Sequence, residues 1–343
     1  MATAGALDVL IVSLGSTTGL RTADEALAAS IERAGASAAI AAAVPRRQVR
    51  TMMLTDLLWA RAARAAAARA LDRAPARALI YSSTTAALLW PRPGAIRFDA
   101  PAAGNRPGRD GLWQRPLERR RMAEAPLLLP LSAGGLAEVP AAARAGRPAL
   151  VLGLSVEPSG PAAAERDITA ITYAGNPRKK GLDRVLAAWR ELCSGPDGRG
   201  RGELLVAGAS AQELRAAGIA LEAEPGVRSV GRLAPAEYRA LLRRAKLFVC
   251  APRREDYGAA QLEALADGCM LVSTPAPGPY VALEIALRLD GGLIDDDLTL
   301  ALRRALDEPA PGYAERALAE LEPFSRAAID ERVATELLPR LLT

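Results

Sequence analysis

Two glutamates that could bind a sugar flank the start of a predicted helix. Glu255 lies in a loop after the apolar run Leu247–Cys250, which has the length of a buried strand. Glu263 lies eight positions further along, inside the helix that opens at Gly258 and ends at Gly268. For this pair alone, two solvated carboxylates are the alternative interpretation.

The start of this helix predicts a phosphate site. The unpaired N–H groups at Gly258 and Ala259, together with the positive end of the helix dipole, attract a phosphate or diphosphate. Glu255 stands just outside this site, and Glu263 lies roughly 7 Å along the axis from Gly258 at about 1.5 Å per residue. Both carboxylates could accept hydrogen bonds from sugar hydroxyls. The geometry therefore suits a ligand built as a sugar, a diphosphate and a nucleoside.

A second loop concentrates positive charge. Gly175–Gly181 joins a predicted strand to a predicted helix and carries Arg178, Lys179 and Lys180 in a row. Lysine is rare in this chain, since Lys179, Lys180 and Lys246 are the only lysines among 44 basic residues. Lysine in this loop favours a phosphate ligand, because its ammonium is a compact charge on a flexible stem. A charged surface turn is the alternative.

The motif around the two glutamates resembles that of a known family. Glu255 and Glu263 match the E-x7-E signature of retaining glycosyltransferases with the GT-B fold (family 4, group 1), with Tyr257 and Gly258 after the first glutamate and EALADG from the second. The resemblance implies that Glu255 positions the donor sugar and stabilises its oxocarbenium-like character, and that Glu263 holds the ribose. It also assigns Tyr257, Gly258 and Ala259 to the donor-binding segment.

The cationic loop resembles the family's GR…KG element, whose arginine and lysine bind the donor diphosphate. Lys180 matches the lysine position. Asn176 stands where the family has arginine, so either Arg178 supplies the second cation or one contact is missing. The specific motifs cover about residues 170–285, whereas over residues 1–155 the resemblance depends on architecture and position alone.

Three further residues are candidates because of their positions. Gly15, in the loop Gly15–Gly19 after the first predicted strand, resembles the family's glycine-bearing first loop, but the loop lacks the G-x-G-x-x-G spacing of a dinucleotide cofactor site. Arg232 could contact the base or the ribose, with a plain surface arginine as the alternative. Asp99 ends the predicted strand Ile96–Asp99, where many family members have a histidine that faces the donor sugar. An ordinary strand-end aspartate is its rival.

Predicted strands and helices alternate along the whole chain, which indicates α/β architecture with parallel sheets covered on both faces. We predict two Rossmann-like, doubly wound domains that face a cleft, the GT-B arrangement. The boundaries are 1–155 for an acceptor-side domain, with Leu150–Leu152 as its last strand, 156–167 for a linker and 168–325 for a donor domain. In the family, a last helix, here 326–343, crosses back to the N-terminal domain.

The composition of the chain excludes several kinds of catalytic site and metal site. The chain has no histidine, which excludes Ser-His-Asp and Cys-His catalysis and every histidine-ligated metal site. Its three cysteines are widely scattered, which argues for a reducing cytoplasm. Asp295–Asp297 could suggest a metal cluster, but three carboxylates before a helix are typical of an N-cap and a solvated turn. We predict no metal and no cofactor besides the substrate.

Positive charge is concentrated in the first half of the chain. Residues 1–150 carry a net charge of +9 and residues 151–343 one of −4. An anionic acceptor, a lipid headgroup or a nucleic acid could use such a field. We interpret the basic segment around Arg115–Met122 as a helix with an ordinary solvated face, and peripheral membrane contact is the alternative. Because the chain has only 13 Phe, Trp and Tyr residues for base stacking, we predict no nucleic-acid partner.

The combined expectation is a cytoplasmic, metal-independent retaining glycosyltransferase that uses a UDP- or GDP-linked sugar. Its acceptor is expected to be anionic, lipid-linked or a saccharide, in glycan, glycolipid or glycoconjugate synthesis, and a lipid-linked acceptor would place the enzyme at the inner face of the membrane. Two alternatives share the architecture. The missing arginine and histidine favour a catalytically weak sugar-nucleotide-binding partner of another transferase. A nucleotide-sugar epimerase is the other, although the epimerases of this fold depend on histidine.

Overall fold

The computed structural model of the chain describes residues 6–45, 51–161, 163, 165–194, 202–221 and 224–342. The chain divides into two compact units. Unit 1 comprises Met1–Ser155 together with Arg326–Thr343, and unit 2 comprises Val156–Ser325. The segment predicted as a linker begins unit 2, and its Ala162 and Ala164 lie outside the described residues.

Unit 1 contains a five-stranded parallel sheet in the order β2-β1-β3-β4-β5. Its strands are β1 (Leu7–Ser13), β2 (Ala38–Ala42), β3 (Ala76–Tyr81), β4 (Ala95–Phe98) and β5 (Leu128–Pro130). Its helices up to Ser155 are α1 (Thr18–Arg33), α2 (Met52–Arg73), α3 (Thr84–Ala87), α4 (Ala102–Asn105), α5 (Gln114–Glu124), α6 (Ala133–Ala137) and α7 (Ala141–Arg144).

The central strands of unit 1 are continuous apolar runs because both faces of the sheet are covered. Leu10 and Val12 of β1 belong to the apolar cluster on one face, and Val9 and Ile11 belong to the cluster on the other. Successive side chains of a strand point to opposite faces, so a strand buried on both faces needs apolar residues at every position. This burial explains why the first strand is recognisable in the sequence.

Unit 2 contains a second five-stranded parallel sheet in the order β10-β9-β6-β7-β8. Its strands are β6 (Ile168–Tyr173), β7 (Leu204–Ala207), β8 (Val227–Gly231), β9 (Ala245–Cys250) and β10 (Met270–Ser273). Its helices are α8 (Leu182–Ser194), α9 (Ala211–Ala216), α10 (Pro235–Arg244), α11 (Ala259–Ala266), α12 (Val281–Asp290), α13 (Leu298–Asp307) and α14 (Tyr313–Leu321). The strand order reverses between β6 and β9, and open α/β sheets bind ligands beyond the carboxyl ends of the strands at such a switch point.

The end of the chain packs within unit 1. It comprises α15 (Arg326–Arg332), a π-helical turn at Val333–Leu337, and α16 (Leu338–Leu342). Val333 joins the apolar cluster that contains Val9 and Ile11. Asp330 on α15 accepts a hydrogen bond from Arg33 of α1 at 2.6 Å, and the Arg33 guanidinium holds the pKa of the Asp330 carboxyl below its usual range.

The predicted α/β class with two parallel-sheet units is confirmed, and one predicted strand is wrong. Leu150 and Leu152 donate backbone hydrogen bonds to β5, to the carbonyls of Leu128 and Pro130. The segment does not extend the sheet further, because its only bridge to another described residue is the isolated one between Leu128 and Ala149.

Within the described ranges, no helix is both long and apolar enough to cross a membrane.

The basic helix α5 packs its apolar side inward. Met122 is fully buried, so it contributes to the core of unit 1. Arg121 lies over the Trp90 ring at 5.1 Å, and Arg115 donates to the Gly108 carbonyl at 2.8 Å. These contacts match a packed helix with a partly solvated face, and membrane contact by α5 stays a prediction.

Glu118 of α5 is a buried carboxyl that accepts the backbone N–H of Ala102 at 2.9 and 3.0 Å through its two oxygens. Burial raises its pKa to about 7, and the hydrogen bonds from Thr84 and Ala102 oppose only part of this effect. The folded chain therefore keeps a proton on Glu118 that the unfolded chain releases near the ordinary pKa of 4.5. This contribution to folding is fully present below pH 4.5 and is lost as the pH rises through about 7.

We expect Glu118→Gln to remove this pH dependence. The difference in the free energy of unfolding between wild type and variant should change by roughly 3 kcal/mol between pH 4 and pH 8, as measured by urea denaturation at a series of pH values. Glu32→Gln, at an exposed position of α1, is the matched control and should leave the slope unchanged. Parallel pH profiles for wild type and Glu118→Gln would show that the carboxyl is ionised in the fold.

Candidate functional site

Two loops meet at the carboxyl edge of the sheet of unit 2, where the strand order reverses. One follows β6 and the other follows β9. Arg253 ties the loops together, because its N–H donates to the Lys179 carbonyl at 3.0 Å and its guanidinium donates to the Arg178 carbonyl at 2.8 Å. The same guanidinium forms a two-pronged ion pair with Asp183, at 2.8 and 2.6 Å. The two predicted motifs thus form one site.

Lys180 and Glu255 contact each other at the centre of this site. The Lys180 ammonium forms an ion pair with Oε2 of Glu255. The Glu255 side chain is only 7% exposed and that of Lys180 20%. Because a buried carboxylate loses its hydration, it needs such a partner. The two residues that the family resemblance assigns to the diphosphate and to the sugar are therefore in contact with each other.

Gly181 lets the two loops approach this closely. Its φ is +66°, and a Cβ at this position would lie 1.8 Å from the carbonyl oxygen of Ala251. A side chain here would separate the loop after β6 from the loop after β9. Lys180 precedes Gly181, so this approach also fixes the position of the lysine relative to Glu255.

Asp256, next to Glu255, neutralises two further cations. Its carboxylate binds the Lys179 ammonium at 2.7 Å and the Arg254 guanidinium at 2.8 Å. Burial of the carboxyl raises its pKa, but the charges of Lys179 and Arg254 outweigh that effect and hold the pKa below its usual range. Asp256 therefore stays ionised and keeps Lys179 turned toward the loop after β9.

The helix α11 begins beside this ion pair. Its N-cap residue Gly258 has φ +91°, and a Cβ there would lie 2.8 Å from the ring of Tyr280. Glycine has no side chain that could cap the first N–H groups of the helix, and Ala259 at the first helical position is exposed. An anion can therefore reach the helix N-terminus next to Lys180.

Two more predicted donor residues lie on or beside α11. Glu263 is half-buried in the second turn, and burial raises its pKa, with Arg239 opposing and Asp267 reinforcing that effect. Tyr257 is 5% exposed and belongs to the packed base of the loop. A ligand would contact Tyr257 mainly through its backbone.

Asn176 and Arg178 occupy the exposed rim of the loop after β6. The Oδ1 atom of Asn176 accepts the backbone N–H of Lys179 at 3.0 Å, so this side chain shapes the turn. Because asparagine supplies no charge, Arg178 is the residue of this loop that could act as the second cation. Its role stays a prediction.

Arg232 lies at the far side of the same sheet edge and is held by an ion pair. Its guanidinium donates to both carboxylate oxygens of Glu213 on α9, at 3.1 and 2.5 Å. Hydrogen bonds from the Arg232 guanidinium, together with those from Ser210, lower the pKa of Glu213 to about 2. A contact with a base or ribose would have to be made by the parts of the arginine that Glu213 leaves exposed.

Asp99 and Gly15 belong to unit 1, whereas the other predicted site residues belong to unit 2. Asp99 is exposed after β4, and its Oδ1 accepts the N–H of Ala100 at 2.7 Å. Gly15 has φ +57°, and its carbonyl accepts a hydrogen bond from Arg21 at 2.7 Å. The predicted roles of both residues stay predictions.

Sequence reasoning missed a buried ion pair at the carboxyl edge of the sheet of unit 1. Arg97 of β4 lies 3.4 Å from Asp24 of α1, and both side chains are at least nine-tenths buried. Burial raises the pKa of Asp24, and Ser13 and Arg97 oppose that effect. A charged residue inside a buried strand was the signal that could have identified this pair.

In unit 2, sequence reasoning also missed Asp256, Arg254 and Gln261. Gln261 donates its amide Nε2 to the same Oε2 of Glu255 that binds Lys180, at 3.2 Å. The dense run of charges around Glu255 could have identified Asp256 and Arg254. Among the described residues, five basic side chains in the two loops face three carboxylates, a surplus of positive charge that suits an anion: Arg178, Lys179, Lys180, Arg253 and Arg254 against Asp183, Glu255 and Asp256.

The acidic run at Asp295–Asp297 caps a helix, as its sequence indicated. The Asp297 carboxylate accepts the N–H groups of Thr299 and Leu300 at 3.0 and 3.1 Å. Asp295 in turn accepts the N–H of Asp297 at 2.8 Å. In the part of the chain that the structure describes, no group of three or more acidic or cysteine side chains is arranged to hold a metal ion.

Residues 168–307, which include both loops of the site, match the family model of glycosyl transferases group 1. No curated protein is detectably similar to the chain.

Solved structures of glycosyltransferases share the architecture over nearly the whole chain. Sucrose-phosphate synthase from Thermosynechococcus elongatus superimposes with a TM-score of 0.77 at 14% identity, covering 96% of this chain and 97% of that one. WaaG, a glycosyltransferase involved in lipopolysaccharide biosynthesis, gives a TM-score of 0.71 at 15% identity, over 96% and 98% of the two chains. A UDP-forming α,α-trehalose-phosphate synthase from Burkholderia xenovorans, in complex with glucose-6-phosphate, gives 0.68 at 14% identity, over 98% and 100%. The two parallel α/β units therefore have the GT-B fold.

Proposed function

We propose that the chain is a retaining, metal-independent glycosyltransferase of family 4 that transfers a sugar from a nucleotide diphosphate sugar. The observation that carries this proposal is the contact between Lys180 and Glu255 beside the N-terminus of α11. It lies inside the region that matches the glycosyl transferases group 1 model. A cation and a helix N-terminus without a side-chain cap suit the diphosphate of such a donor, and a buried carboxylate suits the hydroxyls of its sugar.

Each group has a distinct part in the proposed transfer. Lys180 and the first N–H groups of α11 stabilise the charge that develops on the diphosphate as it leaves. Arg178, which lies in the same loop as Lys180, is the further cation. Glu255 positions the sugar and stabilises its oxocarbenium-like character, and Glu263 holds the ribose. The leaving phosphate accepts the proton of the acceptor hydroxyl. The oxygen of that hydroxyl attacks the sugar on the face from which the diphosphate leaves. No histidine is needed for this chemistry.

We propose UDP or GDP as the nucleotide of the donor. One structural neighbour is a UDP-forming synthase solved in complex with glucose-6-phosphate, which supports a UDP-linked donor and an anionic or saccharide acceptor by analogy. The net charge of +9 on residues 1–150 supports an anionic or lipid-linked acceptor. A lipid-linked acceptor would place this cytoplasmic enzyme at the inner face of the membrane.

The test uses a panel of UDP-, GDP- and ADP-sugars, with and without chelator. For each donor, we measure its binding to the protein and the release of its nucleotide in the presence of glucose-6-phosphate and other candidate acceptors. We expect release with one donor, unchanged by the chelator and lost in Glu255→Gln. Loss of release on chelation would contradict metal independence. If wild type binds none of the donors, the proposed function is wrong.

A catalytically weak donor-binding partner is the second candidate. Asn176 favours it, because this residue uses its side chain in a turn and brings no second cation to the diphosphate. The same panel separates the two functions. Tight binding of one donor without nucleotide release from any acceptor or from water would support the binding partner, whereas multiple turnover supports the transferase.

A further inference from the structure

A row of buried polar side chains lies behind Glu255. It consists of Gln261 on α11, Cys250 at the end of β9, Ser273 at the end of β10 and Tyr280 before α12, each at most 3% exposed. The Cys250 thiol contacts the hydroxyl of Ser273 at 3.3 Å and that of Tyr280 at 3.5 Å. The amide Nε2 of Gln261 lies 3.8 Å from the Cys250 sulfur. The row connects the carboxylate to the carboxyl ends of two strands.

Within this row, Gln261 is the residue that binds Glu255. Its Nε2 donates to Oε2 of Glu255 at 3.2 Å, the oxygen that also binds the Lys180 ammonium. Lys180 reaches Glu255 from the loop after β6, and Gln261 reaches it from the helix. Hydrogen bonds to an ionised group are stronger than those between neutral groups. The carboxylate is therefore held from two directions.

The stability of the fold does not explain a glutamine at this position. Gln261 is 1% exposed, and its neighbours on the buried side of α11, Leu262 and Leu265, are apolar. Its Oε1 is buried and has no hydrogen-bond partner among the residues that the structure describes. An orphan buried carbonyl destabilises a fold, so an apolar side chain of similar size would pack here at a lower cost. What the amide adds is a hydrogen bond to Glu255.

The orientation of the amide follows from the charge of its partner. If the Gln261 amide were turned by 180°, its carbonyl oxygen would face the carboxylate of Glu255, and two acceptors would repel each other. Only the Nε2 group can therefore face Glu255. This leaves Oε1 on the side where the described residues offer it no donor.

We infer that Gln261 is a positioning residue, which fixes the direction of the Glu255 carboxylate toward the donor sugar. The inference deepens the proposed function and rests on it, because it assigns a role to Gln261 through Glu255. The free energy lost at the orphan Oε1 is then the consequence of holding a carboxylate in one orientation.

The kinetic test compares Gln261→Leu with Gln114→Leu. Gln114 is a matched control in unit 1, since it is also 1% exposed, donates its Nε2 to a hydroxyl, that of Thr85, and has an Oε1 with no partner in the described part of the chain. We expect Gln261→Leu to lower kcat about 10-fold to 100-fold, the loss of one hydrogen bond to a charged group. Donor Kd should remain close to wild type, and so should thermal stability, because removing the orphan Oε1 offsets the lost hydrogen bond to Glu255. Unchanged kcat in Gln261→Leu, or an equal fall in Gln114→Leu, would overturn the positioning role.

A second variant, Gln261→Glu, should show a pH dependence of turnover that a purely structural role of Gln261 would not produce. Gln261→Glu places a carboxyl against Glu255, and two carboxyls in contact share a proton at low pH. When the introduced carboxyl is protonated, it can donate the hydrogen bond that glutamine makes, whereas its ionised form repels Glu255. We expect turnover of Gln261→Glu to recover, relative to wild type, as the pH falls. A ratio of the two rates that is constant with pH would contradict the proposal.

An NMR measurement separates failure of this inference from failure of the proposed function. The chain has only four glutamines and two asparagines, so its side-chain amide signals can be assigned by substitution. In Glu255→Gln, the Nε2 proton signals of Gln261 should shift upfield, because the acceptor loses its charge, and those of Gln114 should not. This outcome requires no turnover. If the Gln261 signals do not respond, the contact is absent and the inference is wrong, whatever the donor panel shows.

Discussion

Lys180→Ala should lower donor turnover by about 10²–10³-fold, the usual loss when one group that stabilises developing charge is removed. The ammonium forms the ion pair with Glu255 beside the N-terminus of α11. In the proposed function, its loss removes the charge that faces the leaving diphosphate. The measurement is the steady-state rate of nucleotide release with the donor that the panel identifies. Lys246→Ala is the control, because Lys246 is an exposed lysine on β9 of the same unit.

The same variant should also unfold more easily, since it leaves the Glu255 carboxylate buried without its cation. We expect the free energy of unfolding to fall by roughly 1–3 kcal/mol. The double variant Lys180→Ala with Glu255→Gln should recover most of this stability without recovering turnover. If Lys180→Ala alone turned over donor at the wild-type rate under conditions in which it is fully folded, its only effect would be on stability, and the proposed role of Lys180 in charge stabilisation would be wrong.

Gly181→Ala should be the most destabilising single-methyl change in unit 2. Its Cβ would lie 1.8 Å from the Ala251 carbonyl oxygen, and the backbone is held at φ +66°. A left-handed alanine and a forced displacement of the loop together cost about 3 kcal/mol or more. Because Lys180 precedes this glycine, displacement of the loop should also lower the rate at which the variant turns over the donor. Urea denaturation followed by circular dichroism measures the first effect, and nucleotide release measures the second.

Gly218→Ala provides the control for backbone conformation. Gly218 has φ +77°, but a Cβ there would meet nothing within 4 Å among the described residues. This variant should cost only the roughly 1–2 kcal/mol of a left-handed alanine and leave turnover intact. Equal destabilisation by the two variants would show that the approach of the two loops is not tight.

Much of the architecture could be predicted from the sequence, because strands buried on both faces are continuous apolar runs. Leu150–Leu152 is such a run, but its predicted strand is wrong, because its hydrogen bonds to β5 form no continuous ladder and the bridge beside it, between Leu128 and Ala149, is an isolated one. The order of the strands is set by non-local packing, which apolar patterns do not encode. For that reason, the meeting of the loops after β6 and β9 does not follow from the apolar patterns, and only the family resemblance, which assigns both loops to one donor, implies it.

Among the site residues, too, some could be predicted from the sequence, whereas the contacts between them depend on non-local packing. Glu255 and Lys180 were predicted separately from their motifs, and their contact depends on the adjacency of β6 and β9. Asp256 was missed because a carboxylate in a charged loop is expected to be solvated, whereas here it is buried between Lys179 and Arg254. Gln261 was missed because a polar residue in a short helix reads as a surface position.

In the function that we propose, Lys180 binds the diphosphate and Glu255 binds the sugar. The most direct test is calorimetric titration of a nucleoside diphosphate without a sugar into wild type, Lys180→Ala and Glu255→Gln. We expect opposite changes in Kd. Lys180→Ala should bind the diphosphate at least 10-fold more weakly, whereas Glu255→Gln should bind it as tightly as wild type or more tightly, because it frees the ammonium and removes a negative charge. Both variants should nevertheless lose turnover. Weaker binding in Glu255→Gln together with unchanged binding in Lys180→Ala would contradict the assignment of the two roles.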